Sequence, residues 1–380
     1  EPAPGWHLAP LIRAGDCRAS ARRARALRAA SSVCPTEAGV DALRRSLTST
    51  ARSLSRTTTA HRCRSDSDSV ARSGTIARME QGFGTVVGGG GRTIAYLDGG
   101  DPDGYPVIGL HGTPGCRLSR WPEDSLYANA GIRYITTDRA GYGRSSRNRG
   151  RSVADEAADV LAVADALGLA RFSIVGGSGG GPHALACAAL LGDRAERVAC
   201  QSGLAPLGLH GLTRDEWVGG MGEEIAAELA WAEAGEDVLT GEMTRAQALM
   251  EERIATDPGA ILGDEANDTD VGFLMRPETI LAFQRIIPEQ AVNGVGGSVD
   301  DTLAFVADWG FSLSSIRVPV LLTYGDDDTS LPVAHGRFLA TAVPDALVIE
   351  TTGGGHFADD PVRDILDTHR WLSTGQPPRA

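Results

Sequence analysis

Lysine is missing from all 380 residues, so each of the 36 basic side chains is an arginine. A phosphate-cradling P-loop needs a lysine after its last glycine, and the glycine-rich stretch 176–181 is therefore not one. Nor does that stretch open a dinucleotide fingerprint. Read from Gly177, the G-x-G-x-x-G pattern requires glycine where Pro182 stands. Cysteine pairs at metal-ligand spacing are also lacking. The six cysteines fall at 17, 34, 63, 116, 187 and 200, none in C-x-x-C, which indicates neither a zinc site nor a disulfide framework. No apolar run approaches the roughly 18 residues of a membrane-spanning helix, so no membrane span is expected. An excess of positive charge is absent too. With a net charge of −13, the chain is a poor partner for nucleic acid, whose phosphates call for concentrated basic side chains. The default setting is reduced and cytoplasmic, and the expected partner is a small molecule.

The charge that is present is unevenly placed. Residues 1–78 hold fourteen arginines against six acidic residues, a net of +8, which leaves −21 for the remainder. This first segment, Ser/Thr/Arg-rich from 46 to 64, lacks β-type runs and reads as disordered. It also has the Arg-rich, Ser-rich, acid-poor character of an organelle transit peptide. Against that, the first methionine is Met79, immediately before the regular pattern begins. We therefore read 1–78 as an upstream extension and Met79 as the natural start.

From residue 82 the pattern is regular. Segments 82–87 and 92–98, joined by four glycines, read as a β-hairpin. Short apolar strands follow at 107–110 and 133–137. Residues 152–167 carry apolar side chains at helical spacing, with Ser152 and either Asp155 or Glu156 as start signals. Strands at 172–175 and 198–202 flank an alanine-rich helix that begins near Gly179. Alternating strand and helix implies a mostly parallel sheet covered by helices on both faces. The alternation stops between 204 and 315, a stretch that is acidic, helix-like and interrupted by Pro258, Pro277 and Pro288. It resumes with strands at 318–324 and 346–350 and a helix at 362–371. The expected organisation is thus a core formed by 79–203 and 316–380, with 204–315 inserted as a helical lid.

The chemistry centres on Gly176-Gly177-Ser178-Gly179-Gly180, which fits G-x-S-x-G between a strand and a helix. In such a nucleophile elbow, the turn holds the serine in a strained conformation with its hydroxyl above the sheet. The helix that follows points free N–H groups at any negative charge developing there. A serine hydroxyl is a poor nucleophile until a base takes its proton, and the base needs an acid to fix its tautomer. His356, in a glycine loop after the last strand, is the expected base. His335 is too close in sequence to the acid, and His369 lies within the final helix. The acid falls among Asp326, Asp327 and Asp328, just past a strand end where such sites are built. We choose Asp328 and expect the other two to cap the helix near Pro332 or to be solvated. Two N–H donors complete the requirement: Gly179, and Thr113 in the loop after 107–110, with Gly112 the fallback. His111 is expected to hold that loop by hydrogen bonds.

Taken together, His111-Gly-Thr-Pro114, Asp138-Arg139-Ala-Gly141-Tyr-Gly143-Arg-Ser145, the turn around Ser178, Gly325 with Asp328, and Gly355-His356-Phe357 make residues 82–371 resemble the α/β-hydrolase-fold serine hydrolases with a helical lid. The chain is similar in particular to bacterial members with a Gly-Gly-Ser-Gly-Gly-Gly-Pro-His elbow. The resemblance implies hydrolysis of an ester or related acyl bond through an acyl-enzyme, with no metal and no cofactor. Where those relatives carry proline after Asp-Arg, Ala140 stands here, which removes no chemical group. Haloalkane dehalogenases and epoxide hydrolases place aspartate at the position of Ser178 and are disfavoured. Lactonases, thioesterases and cofactor-free perhydrolases use the same triad and stay open. Proline iminopeptidases carry tryptophan after the serine, where this chain has Gly179, yet the acidic insertion suits an aminopeptidase, which is the runner-up. A non-hydrolytic receptor of the same fold is the alternative from another class. Within the insertion, Trp217, Met221, Trp231, Met243, Phe273, Met275, Phe283 and Trp309 are candidates either to line an apolar pocket or to pack the insertion onto the core. The excess negative charge there disfavours strongly anionic acyl groups.

Overall fold

The computed structural model describes residues 82–261 and 266–378, and the expectations for 1–78 lie outside them. Eight strands form one sheet in the order β1-β2-β4-β3-β5-β6-β7-β8. These are β1 (Phe83–Val87), β2 (Thr93–Gly100), β3 (Tyr105–Leu110), β4 (Ile132–Thr137), β5 (Phe172–Gly177), β6 (Ala195–Gln201), β7 (Val320–Gly325) and β8 (Leu347–Thr351). The expected hairpin is β1–β2, turning through Gly90 and Gly91 at positive φ. Strand β2 also pairs antiparallel with β4, and every later pairing is parallel.

Successive residues of the central strands enter opposite layers. Ile108, Ile174, Val198, Cys200, Val320 and Leu322 join the core on one face, while Val107, Val175, Ala199 and Leu321 join the core on the other. A strand buried on both faces reads as a near-continuous apolar run, which is why β3, β5 and β7 were recognisable. The first face is covered by α2 (Glu156–Ala166) and α3 (Gly180–Leu190). The second is covered by α1 (Asp124–Asn129), which contributes Tyr127, and by the C-terminal helix Pro361–Thr374, which contributes Trp371 and Leu372. At the start of α2, Asp155 is the capping-box partner of Ser152. Glu156 is buried instead of serving as a surface start signal.

Between β6 and β7 the described residues form six α-helices: α4 (Arg214–Val218), α5 (Glu223–Ala234), α6 (Glu236–Thr256), α7 (Asp268–Leu274), α8 (Pro277–Gln290) and α9 (Gly296–Val306). Helices α10 (Val333–Ala342) and α11 (Pro361–Thr374) complete the described chain. Pro277 opens α8 at its first position, where its missing N–H costs nothing. Pro288, expected as a breaker, lies inside the final turn of α8, where it forgoes its own N–H bond and the helix ends two residues later. Much of the acidic charge is compensated: Glu224 pairs with Arg253, Glu233 with Arg214, and Glu236 with Arg147 and Arg149.

Candidate active site

Ser178 sits in the turn between β5 and α3 with φ at 54°, a left-handed conformation that non-glycine residues seldom adopt. Its N–H is held by the Gln201 carbonyl at 2.8 Å, and its carbonyl accepts from Gly181 N–H at 2.9 Å. The flanking glycines permit this turn sterically. A Cβ at Gly176 would lie 2.2 Å from the Gly180 carbonyl oxygen, and one at Gly180 would lie 2.2 Å from that of Leu110. Any side chain at either position forces strand and helix apart.

His356, after β8, and Asp328, after β7, come together. The imidazole Nδ1 is 2.8 Å from Asp328 Oδ2, and Asp328 Oδ1 accepts the N–H groups of Ser330 and Leu331, each at 2.8 Å. With both oxygens of Asp328 occupied as acceptors, Nδ1 is the donor, which leaves Nε2 free to accept a proton. Burial pulls the pKa of His356 down, but the adjacent Asp328 carboxylate, its hydrogen bond and the charge of Asp270 together lift it above the ordinary 6.5. Asp326 and Asp327 are exposed and do not cap the helix at Pro332. They hold the histidine loop instead: Asp326 Oδ1 accepts from Gly353 N–H, and Asp327 N–H donates to the Gly354 carbonyl. Ser178 and His356 face a single cavity of about 900 Å³.

The loop after β3 reaches the same cavity through Gly112 and Thr113. A Cβ at Gly179 would meet Thr113 N at 3.0 Å, and one at Gly112 would meet Ser178 Cβ at 3.3 Å, so Gly179, Thr113 and Gly112 all stand beside the serine. This loop is built on a buried charge cluster that sequence reasoning missed. Asp301, in α9 and fully buried, accepts from Thr113 Oγ1 at 2.6 Å, Tyr142 Oη at 2.8 Å, Arg139 Nη2 at 2.7 Å, Arg151 Nη2 at 2.6 Å and His183 Nε2 at 3.1 Å. Arg139 in turn donates to the carbonyls of His111 and Gly112 and to Thr113 Oγ1. His111 accepts the Arg139 N–H on Nε2 and donates from Nδ1 to the Gly112 carbonyl, the loop-holding role expected of it. Burial by itself would push Asp301 upward, and Arg139 and Arg151 overcome it, keeping the carboxyl well below its usual range. The available signal was an acidic pair, Asp300-Asp301, inside the otherwise uncharged helix α9.

Removing one partner of a buried ion pair leaves an uncompensated charge. Asp301→Ala strands two buried guanidinium groups and is expected to cost about 3–5 kcal/mol of unfolding free energy. Urea denaturation of both proteins measures it. A loss under about 1 kcal/mol, the scale of an exposed pair, would show that the arginines do not depend on this carboxylate.

Of the apolar candidates in the helical insertion, Trp217, Met221, Trp231, Phe273 and Phe283 line the cavity. Met243 packs instead with Leu239 and Val299, Trp309 is buried in the main core, and Met275 is 52% exposed. His335 is structural: it accepts the Ala205 N–H and donates to the Trp217 carbonyl, and burial lowers it to about 4. His369 donates to the Ile365 carbonyl within α11, and burial likewise lowers it to about 4. Among the described residues there is no group of three or more His, Cys, Asp or Glu placed to hold a metal, and no helix is long and apolar enough to cross a membrane.

The α/β-hydrolase fold family matches residues 105–358, about two thirds of the chain. The chain belongs to the α/β-hydrolase family. Among its members this hydrolase is similar to a non-heme chloroperoxidase of Streptomyces lividans, 29% identical over 260 residues, covering 66% of this chain and 84% of the relative. It is also similar to a proline iminopeptidase of Xylella fastidiosa, 27% identical over 292 residues, covering 70% of this chain and 88% of the relative. In fold it resembles an esterase from Rhodococcus sp. ECU1013, with a TM-score of 0.55 and 21% identity over 77% of this chain and 99% of that one.

Proposed function

We propose that this α/β hydrolase is a serine hydrolase acting on an ester or related acyl bond of a small, largely apolar substrate, in the manner of a carboxylesterase. One observation carries the reading. A serine held in a left-handed turn shares a cavity with a histidine whose Nδ1 is fixed by a buried carboxylate. In this mechanism His356 takes the Ser178 proton as the hydroxyl attacks the acyl carbon, and Asp328 stabilises the resulting imidazolium. The N–H groups of Gly179 and Thr113 receive the tetrahedral oxyanion, and a lost donor of this kind costs roughly 10²- to 10³-fold in rate. His356 returns the proton to the leaving alcohol, and water, activated by the same imidazole, cleaves the acyl-enzyme. No metal or cofactor enters any step. Helices α4–α9 form a lid whose aromatic side chains give the acyl group an apolar surface.

A second reading is favoured by one residue. Glu228 of α5 stands in the cavity wall without a hydrogen bond or ion pair to any described residue, and burial raises its carboxyl to about 7. A cationic amino group on a substrate would supply the missing partner, as an aminopeptidase resembling the proline iminopeptidases requires. A panel of p-nitrophenyl esters and aminoacyl p-nitroanilides, run on the protein and on Glu228→Gln, separates the two. The esterase reading expects ester turnover that the substitution leaves nearly unchanged. Preference for the aminoacyl amides, abolished by Glu228→Gln, would establish the second reading.

A further inference from the structure

We infer that Asp270, in helix α7 of the insertion, is a positioning residue for His356 and ties the lid to the base of the proposed triad. The inference rests on the reading of His356 as that base. Asp270 is 1% exposed, and its two carboxylate oxygens accept two successive backbone N–H groups, those of His356 at 3.0 Å and Phe357 at 2.8 Å. Its carboxylate therefore crosses from the insertion to the loop after β8 instead of capping its own helix. That cap is Asn267, whose Oδ1 accepts the Asp270 N–H and whose Nδ2 donates to the carbonyl of Asp327 at 2.6 Å, one residue before Asp328. The Phe273 and Phe357 rings stack at 4.3 Å, closing the third side. Gly355 makes the approach feasible, since a Cβ there would lie 2.5 Å from both Asn267 Nδ2 and Asp270 Oδ1. One short helix thus grips both the histidine loop and the loop of its acid.

The physical consequence follows from what Asp328 leaves undetermined. A single hydrogen bond at Nδ1 fixes one point of the ring, and the direction of Nε2 then depends on where the loop places the histidine backbone. Asp270 sets that position, Asp326 holds the same loop at Gly353, and Ser202 Oγ donates to the His356 carbonyl at 3.2 Å. The charged groups that act on the ring are Asp328, from the loop after β7, and Asp270, from α7, and both favour the imidazolium. A displacement of the base by about 1 Å costs on the order of 10²-fold in rate.

The test is Asp270→Asn in the full chain. The amide keeps one acceptor but turns an N–H₂ toward the other backbone N–H, and it removes the negative charge. With a p-nitrophenyl ester, kcat is expected to fall about 10²-fold with KM little changed, and the acid limb of the pH profile is expected to move to lower pH. The His356 ring titration, followed by NMR and assigned with His356→Gln, is expected to shift the same way, and it reports on the ring without reference to turnover. Unchanged kcat together with an unmoved titration would overturn the inference. Should Asp270→Asn fold poorly, Asp270→Glu keeps the charge while displacing it. There kcat is expected to fall with the titration in place, and unchanged kcat would overturn the inference. Wild-type protein inert toward esters would refute the esterase reading, whereas an active wild type with unchanged kcat and an unmoved titration in Asp270→Asn would refute the positioning role alone.

Discussion

Replacing Ser178 by alanine is expected to lower kcat toward an activated ester by about 10⁶-fold, because residues of a triad act as a unit and the loss of one forfeits nearly the whole gain. The residual rate is carried by the oxyanion donors and by binding, so KM should change little. The variant is expected to be about as stable as the wild type, since alanine keeps the Cβ that makes φ 54° unfavourable and loses only the hydroxyl. Steady-state kinetics beside a thermal melt separate the two effects. A variant that keeps more than about one hundredth of the wild-type kcat would leave hydrolysis to another group, since even a lost oxyanion donor costs 10²-fold or more.

Asp328→Asn is expected to cost about 10⁴-fold in kcat, by a different route. The asparagine oxygen continues to accept the N–H groups of Ser330 and Leu331, so its N–H₂ faces His356 Nδ1. A ring nitrogen that must accept there places the ring proton on Nε2, which then has no lone pair for the Ser178 proton. The geometry survives and the tautomer is wrong. Asp326→Asn and Asp327→Asn leave that tautomer alone, because these side chains only tether or flank the histidine loop. Their effects should be small, and equal losses at all three positions would overturn the assignment of the acid.

How far the sequence reveals this site depends on the range of the interactions. The strands of the sheet and the turn at Ser178 are local matters: apolar runs of four to six residues, glycines where backbones touch, and a helical run directly after. Each can be seen within one short stretch. The choice among Asp326, Asp327 and Asp328 was less local. It rested on loop position alone, and only the fold shows one carboxylate buried and the other two exposed. Asp301 showed only as half of an acidic pair in α9, and Asp270 was not legible at all. Their partners lie 162 and 86 residues away, at Arg139 and His356, and in the chain they are two acids in a segment full of acids. A buried carboxylate is recognised by its partners, and those are brought to it only by the packing of helices that carry little periodic signal of their own. The same holds for the cavity wall, where Phe273 faces the cavity and Met275, two residues on, points to solvent.

The central claim is that Ser178 is an activated nucleophile, and reaction of the full chain with a fluorophosphonate, followed by peptide mapping, tests it most directly. The account predicts a single covalent adduct on Ser178, absent from Ser178→Ala. A folded protein that takes up no label, or takes it up elsewhere, would contradict the account and direct attention to a ligand-binding role for the same cavity.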